Sequence, residues 1–125
     1  MLLGDFYTYK IIDKKEGEFS ASIQLNKNHS IYKGHFPKIP ILPGVCQVQI
    51  LKETLCDVLG LTLKIDNARD IKFLTMLNPS ETEDFQINVV YDNNEENIFK
   101  VTSVFFKEEV KYFKFKGELI KTGNF

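Results

Sequence analysis

Gly-His-Phe-Pro-Lys-Ile-Pro-Ile-Leu-Pro-Gly-Val-Cys-Gln-Val-Gln-Ile-Leu-Lys-Glu, residues 34–53, decides how this chain is read. Pro37, Pro40 and Pro43 hold its first half extended, because each biases the residue before it away from helical angles. Pro43 also suits a helix start, where a missing N–H costs little. From Gly44 to about Leu59 no proline intervenes, and leucine, isoleucine and valine are frequent enough for a buried helix. His35 therefore sits on a stiff loop just ahead of a helix N-terminus whose first N–H groups lack helical partners. A base beside an anion-stabilising helix end suits acyl chemistry.

At about 100° per residue, Val45, Val48, Leu51, Leu55, Val58 and Leu59 form one wide apolar stripe on the predicted helix. Gln49 and Glu53 lie together on a flank of that stripe, one turn apart, with Cβ atoms roughly 5–6 Å from each other. Solvated side chains on a helix flank are common, so this pair gains meaning only beside His35 and Pro43-Gly44. Cys46 and Cys56 fall on the same helix, about 15 Å apart at 1.5 Å per residue. They are out of disulfide reach and have no metal-ligand spacing, and they read as small buried residues. No metal site and no cofactor are expected. His29, alone in the polar Asn26–Ser30 segment, reads as an ordinary loop histidine.

Outward from the helix the chain alternates. Asp5–Ile12 and Gly17–Leu25 read as strands, the second with Phe19, Ala21, Ile23 and Leu25 on one face. Gly60 is a suitable helix C-cap, and strands follow at about Leu61–Ile65, Ala68–Leu77, Asp84–Tyr91, Asn97–Lys107 and Lys111–Lys121. Asp92–Glu95 and Glu108-Glu109 supply turns. One helix among many strands joined by hairpin turns implies an α+β fold, an antiparallel sheet wrapped on a helix. A length of 125 residues and a formal charge of −1 fit a single domain over residues 1–125 and give no basic surplus for nucleic acid. No apolar run approaches the length of a membrane span, and Met1-Leu2-Leu3 is too short for a signal peptide, so a cytoplasmic location is expected. The 11 phenylalanines are ordinary core material that would also suit an acyl-chain tunnel.

His35-Phe36-Pro37, Pro40 and Pro43-Gly44-Val45, running straight into an apolar helix, resemble the hot-dog-fold (3R)-hydroxyacyl-acyl carrier protein dehydratases. The resemblance implies a hot-dog fold and dehydration of β-hydroxyacyl thioesters on acyl carrier protein. His35 would be the base and the Gly44 N–H the group that polarises the thioester carbonyl. Pro43, Val45 and Phe36 would shape the substrate site. The family carries an acid at the position of Gln49 and a glutamine at that of Glu53, so acid and amide stand exchanged here. Glu53, or Gln49 through an oriented hydroxyl or water, would then assist departure of hydroxide. The family builds each site from paired subunits, so the resemblance also implies a homodimer or a higher assembly of dimers. Two other readings share the fold: a non-catalytic or half-active subunit that binds acyl chains or partners an acid-bearing sibling, and an acyl thioesterase.

Overall fold

The computed structural model describes residues 1–34 and 40–124. Strands β1 (Tyr7–Lys15) and β2 (Glu18–Leu25) lead through a one-turn helix α1 (Ile31–Gly34) to the long helix α2 (Gly44–Leu59). Strands β3 (Leu61–Phe73), β4 (Asp84–Glu95), β5 (Ile98–Lys107) and β6 (Val110–Asn124) follow. All six strands form one antiparallel sheet in the order β1-β2-β4-β5-β6-β3. One face of that sheet wraps α2, which is the α+β arrangement expected.

The two-residue period explains which face is buried. Phe19, Ala21, Ile23 and Leu25 of β2 turn inward together, with Phe85, Ile87 and Val89 of β4 and Phe113 and Phe115 of β6. Most of the phenylalanines are spent there. Phe85 stacks on Phe105 at 5.4 Å between ring centroids, and Phe105 meets Phe113 at 4.8 Å. From α2 come Cys46, Ile50, Leu51 and Leu55, all at most 4% exposed. The helix ends where the sequence suggests: Gly60 takes a left-handed φ of 68° and its N–H caps the Cys56 carbonyl.

Three expectations need correction. The segments Leu61–Ile65 and Ala68–Leu77 are one strand, β3, which ends at Phe73; bulges near Asp66 and Arg69 break its register with β6 without breaking the strand. The β4–β5 turn falls later than Asp92–Glu95, at Glu96-Asn97, with Asn97 at a φ of 66°. The buried side of α2 is rotated from the apolar stripe. Val45 is 77% exposed, while Gln47, Glu53 and Thr54 are buried. Among the described residues no helix is long and apolar enough to cross a membrane.

Four buried acids bind their protons more tightly in the fold. Burial raises the thiols of Cys46 and Cys56 and the phenols of Tyr7 and Tyr32 above their ordinary range. Each favours the folded state fully at pH values below its unfolded pKa, about 8.5 for Cys and 10 for Tyr, and loses that contribution as pH climbs through the folded value. The urea midpoint is therefore expected to hold between pH 7 and 8 and to fall steadily from pH 9 to 11. A midpoint unchanged at pH 11 would contradict the buried state of these groups.

Candidate active site

Helix α2 begins without a side-chain cap. Pro43, the N-cap residue, is buried at φ −62° and ψ 145°, and its carbonyl accepts from the N–H groups of Cys46 at 3.0 Å and Gln47 at 3.1 Å. The N–H groups of Gly44 and Val45 have no backbone acceptor among the described residues. Both point out of the positive end of the helix dipole, where an oxygen bearing negative charge is favoured.

A cleft of about 410 Å³ opens beside this helix start, lined by Ile41, Leu42, Gly44, Gln47 and the Phe73–Met76 segment. Its walls are tied together: the Leu42 N–H donates to the Leu77 carbonyl at 2.8 Å, and the Leu74 N–H to that of Tyr112 at 2.9 Å. The Phe73 ring lies over Gly44 so closely that a Cβ there would stand 2.8 Å from its Cζ. The missing Cβ at Gly44 thus already serves a ring of the same chain. That ring is 54% exposed and rests on Phe113 at 5.4 Å between centroids. A second hollow, of about 300 Å³, lies where Lys72, Lys114, Val104 and Asn88 line the sheet, and it contains none of the expected site residues.

The expected residues do not all meet here. His35 and Phe36 lie outside the described residues. Gly44 lines the cleft, Pro43 is buried just before it in the chain, and Val45 is exposed. Glu53 faces away from the role expected of it. It is 6% exposed, and its carboxylate accepts hydrogen bonds from the N–H groups of Leu2 (3.0 and 2.9 Å to the two oxygens) and Leu3 (2.8 Å). The Gln49 Nε2 donates to it at 2.7 Å, and the Tyr7 hydroxyl approaches at 3.5 Å, also meeting Thr54 Oγ1 at 3.1 Å. Every contact uses the carboxylate as an acceptor, and the helix flank read as open to solvent is the anchor of the N-terminal turn.

Sequence reading passed over Gln47 and Phe73, both of which line the cleft. The signal was a glutamine three residues past Gly44, hence on the same side of the helix. His29, read as an ordinary loop histidine, is half-buried and hydrogen-bonded: Nδ1 accepts from the Ile31 N–H at 3.1 Å, so Nε2 carries the hydrogen given to Asp5 at 2.9 Å.

Known proteins resemble this chain over most of its length. A family model described as ApeI-like, ApeI dehydratase, matches residues 11–116. A 3-hydroxyacyl-acyl-carrier-protein dehydratase, FabZ, of Petrotoga mobilis is 28% identical over 108 residues, 79% of this chain and 74% of that protein. The FabZ of Roseobacter denitrificans is 31% identical over 78 residues, 56% of this chain and 50% of that protein. Among solved structures, the dehydratase heterocomplex ApeI:P from Xenorhabdus doucetiae superposes with a TM-score of 0.68 at 18% identity, covering 90% of this chain and 98% of that one. A hypothetical thioesterase from Streptococcus pneumoniae, solved with coenzyme A, reaches a TM-score of 0.68 at 11% identity, with 94% of this chain and 88% of that one covered. These last two likenesses show a shared hot-dog fold.

The Glu53 contacts predict a stability effect. Glu53→Gln turns one acceptor into a donor facing donors, and loss of hydrogen bonds to a charged group costs about 2 kcal/mol. The variant should melt several degrees lower, with faster hydrogen exchange at the Leu2 and Leu3 amides. An unchanged melting temperature would show that the anchor contributes nothing.

Proposed function

The chain belongs to the ApeI-like dehydratase family, and from that premise we propose that it dehydrates a β-hydroxyacyl thioester carried on an acyl carrier protein. One observation supports this most directly: the His35-Phe36-Pro37 to Pro43-Gly44 run ends in a helix beside a cleft, and its first two N–H groups have no backbone acceptor among the described residues. The thioester oxygen binds at Gly44 and Val45, where charge develops when the α-proton leaves. His35 is the base, its imidazole suited to proton transfer near neutral pH. The α-carbon–hydrogen bond breaks toward His35, a carbon–carbon double bond forms, and the β-carbon–oxygen bond breaks.

The departing hydroxide needs one proton to leave as water. Glu53 is assigned to the fold, because its oxygens already accept from Leu2, Leu3 and Gln49. Gln49 is an amide with its NH₂ turned to Glu53, so it cannot give a proton. The proton that His35 removed can serve, and its return to the hydroxyl balances the reaction. The same occupied Glu53 favours a second reading, in which a hot-dog sibling carrying an acid at the Gln49 position supplies that proton in a mixed dimer.

Pairing of subunits is part of both readings. Strand β3 is a sheet edge with β6 alone as its neighbour among the described strands. Beside it Val45, Phe73 and Met76 are exposed by 77, 54 and 74%. An unpaired edge next to exposed apolar side chains is a surface that pairing would cover, and a two-fold dimer is the commonest way to do so.

The purified chain should sediment as at least a dimer and hydrate an enoyl thioester, the reverse of the proposed reaction. His35→Ala should lower that rate by about 10²–10⁴-fold with the melting curve preserved. Activity within threefold of wild type would remove His35 from the mechanism. Turnover only after addition of an acid-bearing sibling would select the mixed dimer.

A further inference from the structure

Two buried side-chain polar atoms, the Tyr32 hydroxyl and Gln47 Oε1, have no hydrogen-bond partner among the described residues, and the second belongs to a residue that lines the cleft at the helix start. Gln47 is 4% exposed, and its side chain lines the cleft with Gly44 and Phe73. Its Nε2 donates to the Leu42 carbonyl at 3.3 Å, while its Oε1 is buried with no hydrogen-bond partner among the described residues. A buried acceptor without a donor costs about 1–3 kcal/mol, and folded proteins leave few of them. Packing alone does not call for this residue, since the neighbouring buried positions of α2 are filled by Cys46, Ile50 and Leu51. The contact to Leu42 uses the amide nitrogen and leaves the oxygen unexplained.

We propose that Gln47 Oε1 accepts a hydrogen bond from the hydroxyl of the 3-hydroxyacyl group and makes Gln47 the specificity-determining residue of the cleft. The inference rests on the function proposed above and deepens it. Gly44 and Gln47 share a helix face, separated by a rise of about 4.5 Å at 1.5 Å per residue. A thioester oxygen held at the Gly44 N–H has its hydroxyl two carbons farther along the chain, a span of the same order. The Phe73 ring covers the helix start and is the side chain that shifts to admit the chain. An acceptor at this point takes the hydroxyl's own hydrogen and leaves the oxygen lone pairs open to the incoming proton. It also distinguishes a 3-hydroxyacyl group from a saturated one, which has no donor at that carbon and leaves Oε1 unpaired.

Binding without turnover tests this. In the His35→Ala background, dissociation constants are measured for 3-hydroxyacyl- and saturated acyl-pantetheine of equal chain length. The parent should prefer the hydroxyl by at least about tenfold, the discrimination that about 1.4 kcal/mol gives. Gln47→Met, similar in length and without an acceptor, should bring the two ligands within threefold of each other. Gln47→Glu, which keeps an acceptor, should retain the preference. A parent without preference, or a Gln47→Met variant with the parent's preference, overturns the proposal. Should Gln47→Met fail to fold, the parent ratio and Gln47→Leu decide by the same criteria. Preference for the hydroxyl in a protein that never dehydrates would leave Gln47 in place and remove the proposed reaction. Dehydration without preference would do the opposite.

Discussion

The Glu53 carboxylate is the contact through which the N-terminal turn, strand β1 and helix α2 are held as one body. A buried charge needs neighbours that replace its water, and here no cation does so. Backbone N–H groups of Leu2 and Leu3, the Gln49 amide and the Tyr7 hydroxyl take that place. Hydrogen bonds to a charged acceptor contribute about 1.5–3 kcal/mol each, more than a neutral pair. Two of these donors are backbone groups that would otherwise stand unpaired against the half-buried Leu2 and Leu3. Tyr7 joins the same cluster and also meets Thr54, so the first residues of β1 are fixed to the middle of the helix.

That arrangement explains why the order of acid and amide along the helix matters little to the packing. A carboxylate and an amide four residues apart make the same hydrogen bond whichever comes first. With Glu at 53 the negative charge lies at the N-terminal anchor, and the turn nearer the helix start holds a neutral amide. Gln49 is also oriented by this contact: its NH₂ faces Glu53, so the carbonyl oxygen is the end left for other partners. Gln49 and Glu53 thus form one hydrogen-bonded unit on the helix.

Much of the architecture was legible in the sequence because it depends on short-range rules. The alternation of Phe19, Ala21, Ile23 and Leu25 fixes the inner face of β2, and Gly60 ends the helix by its left-handed backbone. What could not be read depends on distant partners. Glu53 read as a candidate acid on a helix flank, and its anchoring contacts went unseen because its donors are backbone groups some fifty positions away, which no side-chain pattern reveals. Val45 belonged to the apolar stripe by spacing, yet the helix turns it outward, where exposed Phe73 and Met76 also lie. Strand β3 looked like two strands because its bulges interrupt the two-residue period while the backbone pairing with β6 continues. Gln47 escaped notice for a related reason: an amide among apolar residues reads as surface until its burial is known.

These particulars divide the helix between two tasks along its length. Among the described residues its first turn is left unsatisfied, with no backbone acceptor for the N–H groups of Gly44 and Val45, no partner for the Gln47 oxygen and the half-exposed Phe73 ring over Gly44. Its second and third turns are closed, with Glu53, Thr54 and Tyr7 satisfying one another in the interior. Unsatisfied groups lower stability, so a fold retains them where a ligand completes the set and compensates elsewhere. The charged cluster around Glu53 is the compensation, since it fixes the helix firmly enough for its open end to keep its geometry. A helix anchored only by apolar contacts would have freedom to slide or rotate by fractions of an ångström. The distance from the Gly44 N–H to Gln47 Oε1 is set along the helix itself, but its register against Phe73 and the cleft wall is set by that anchor. Glu53 thus bears on the helix start through position, by fixing the helix to the N-terminal turn.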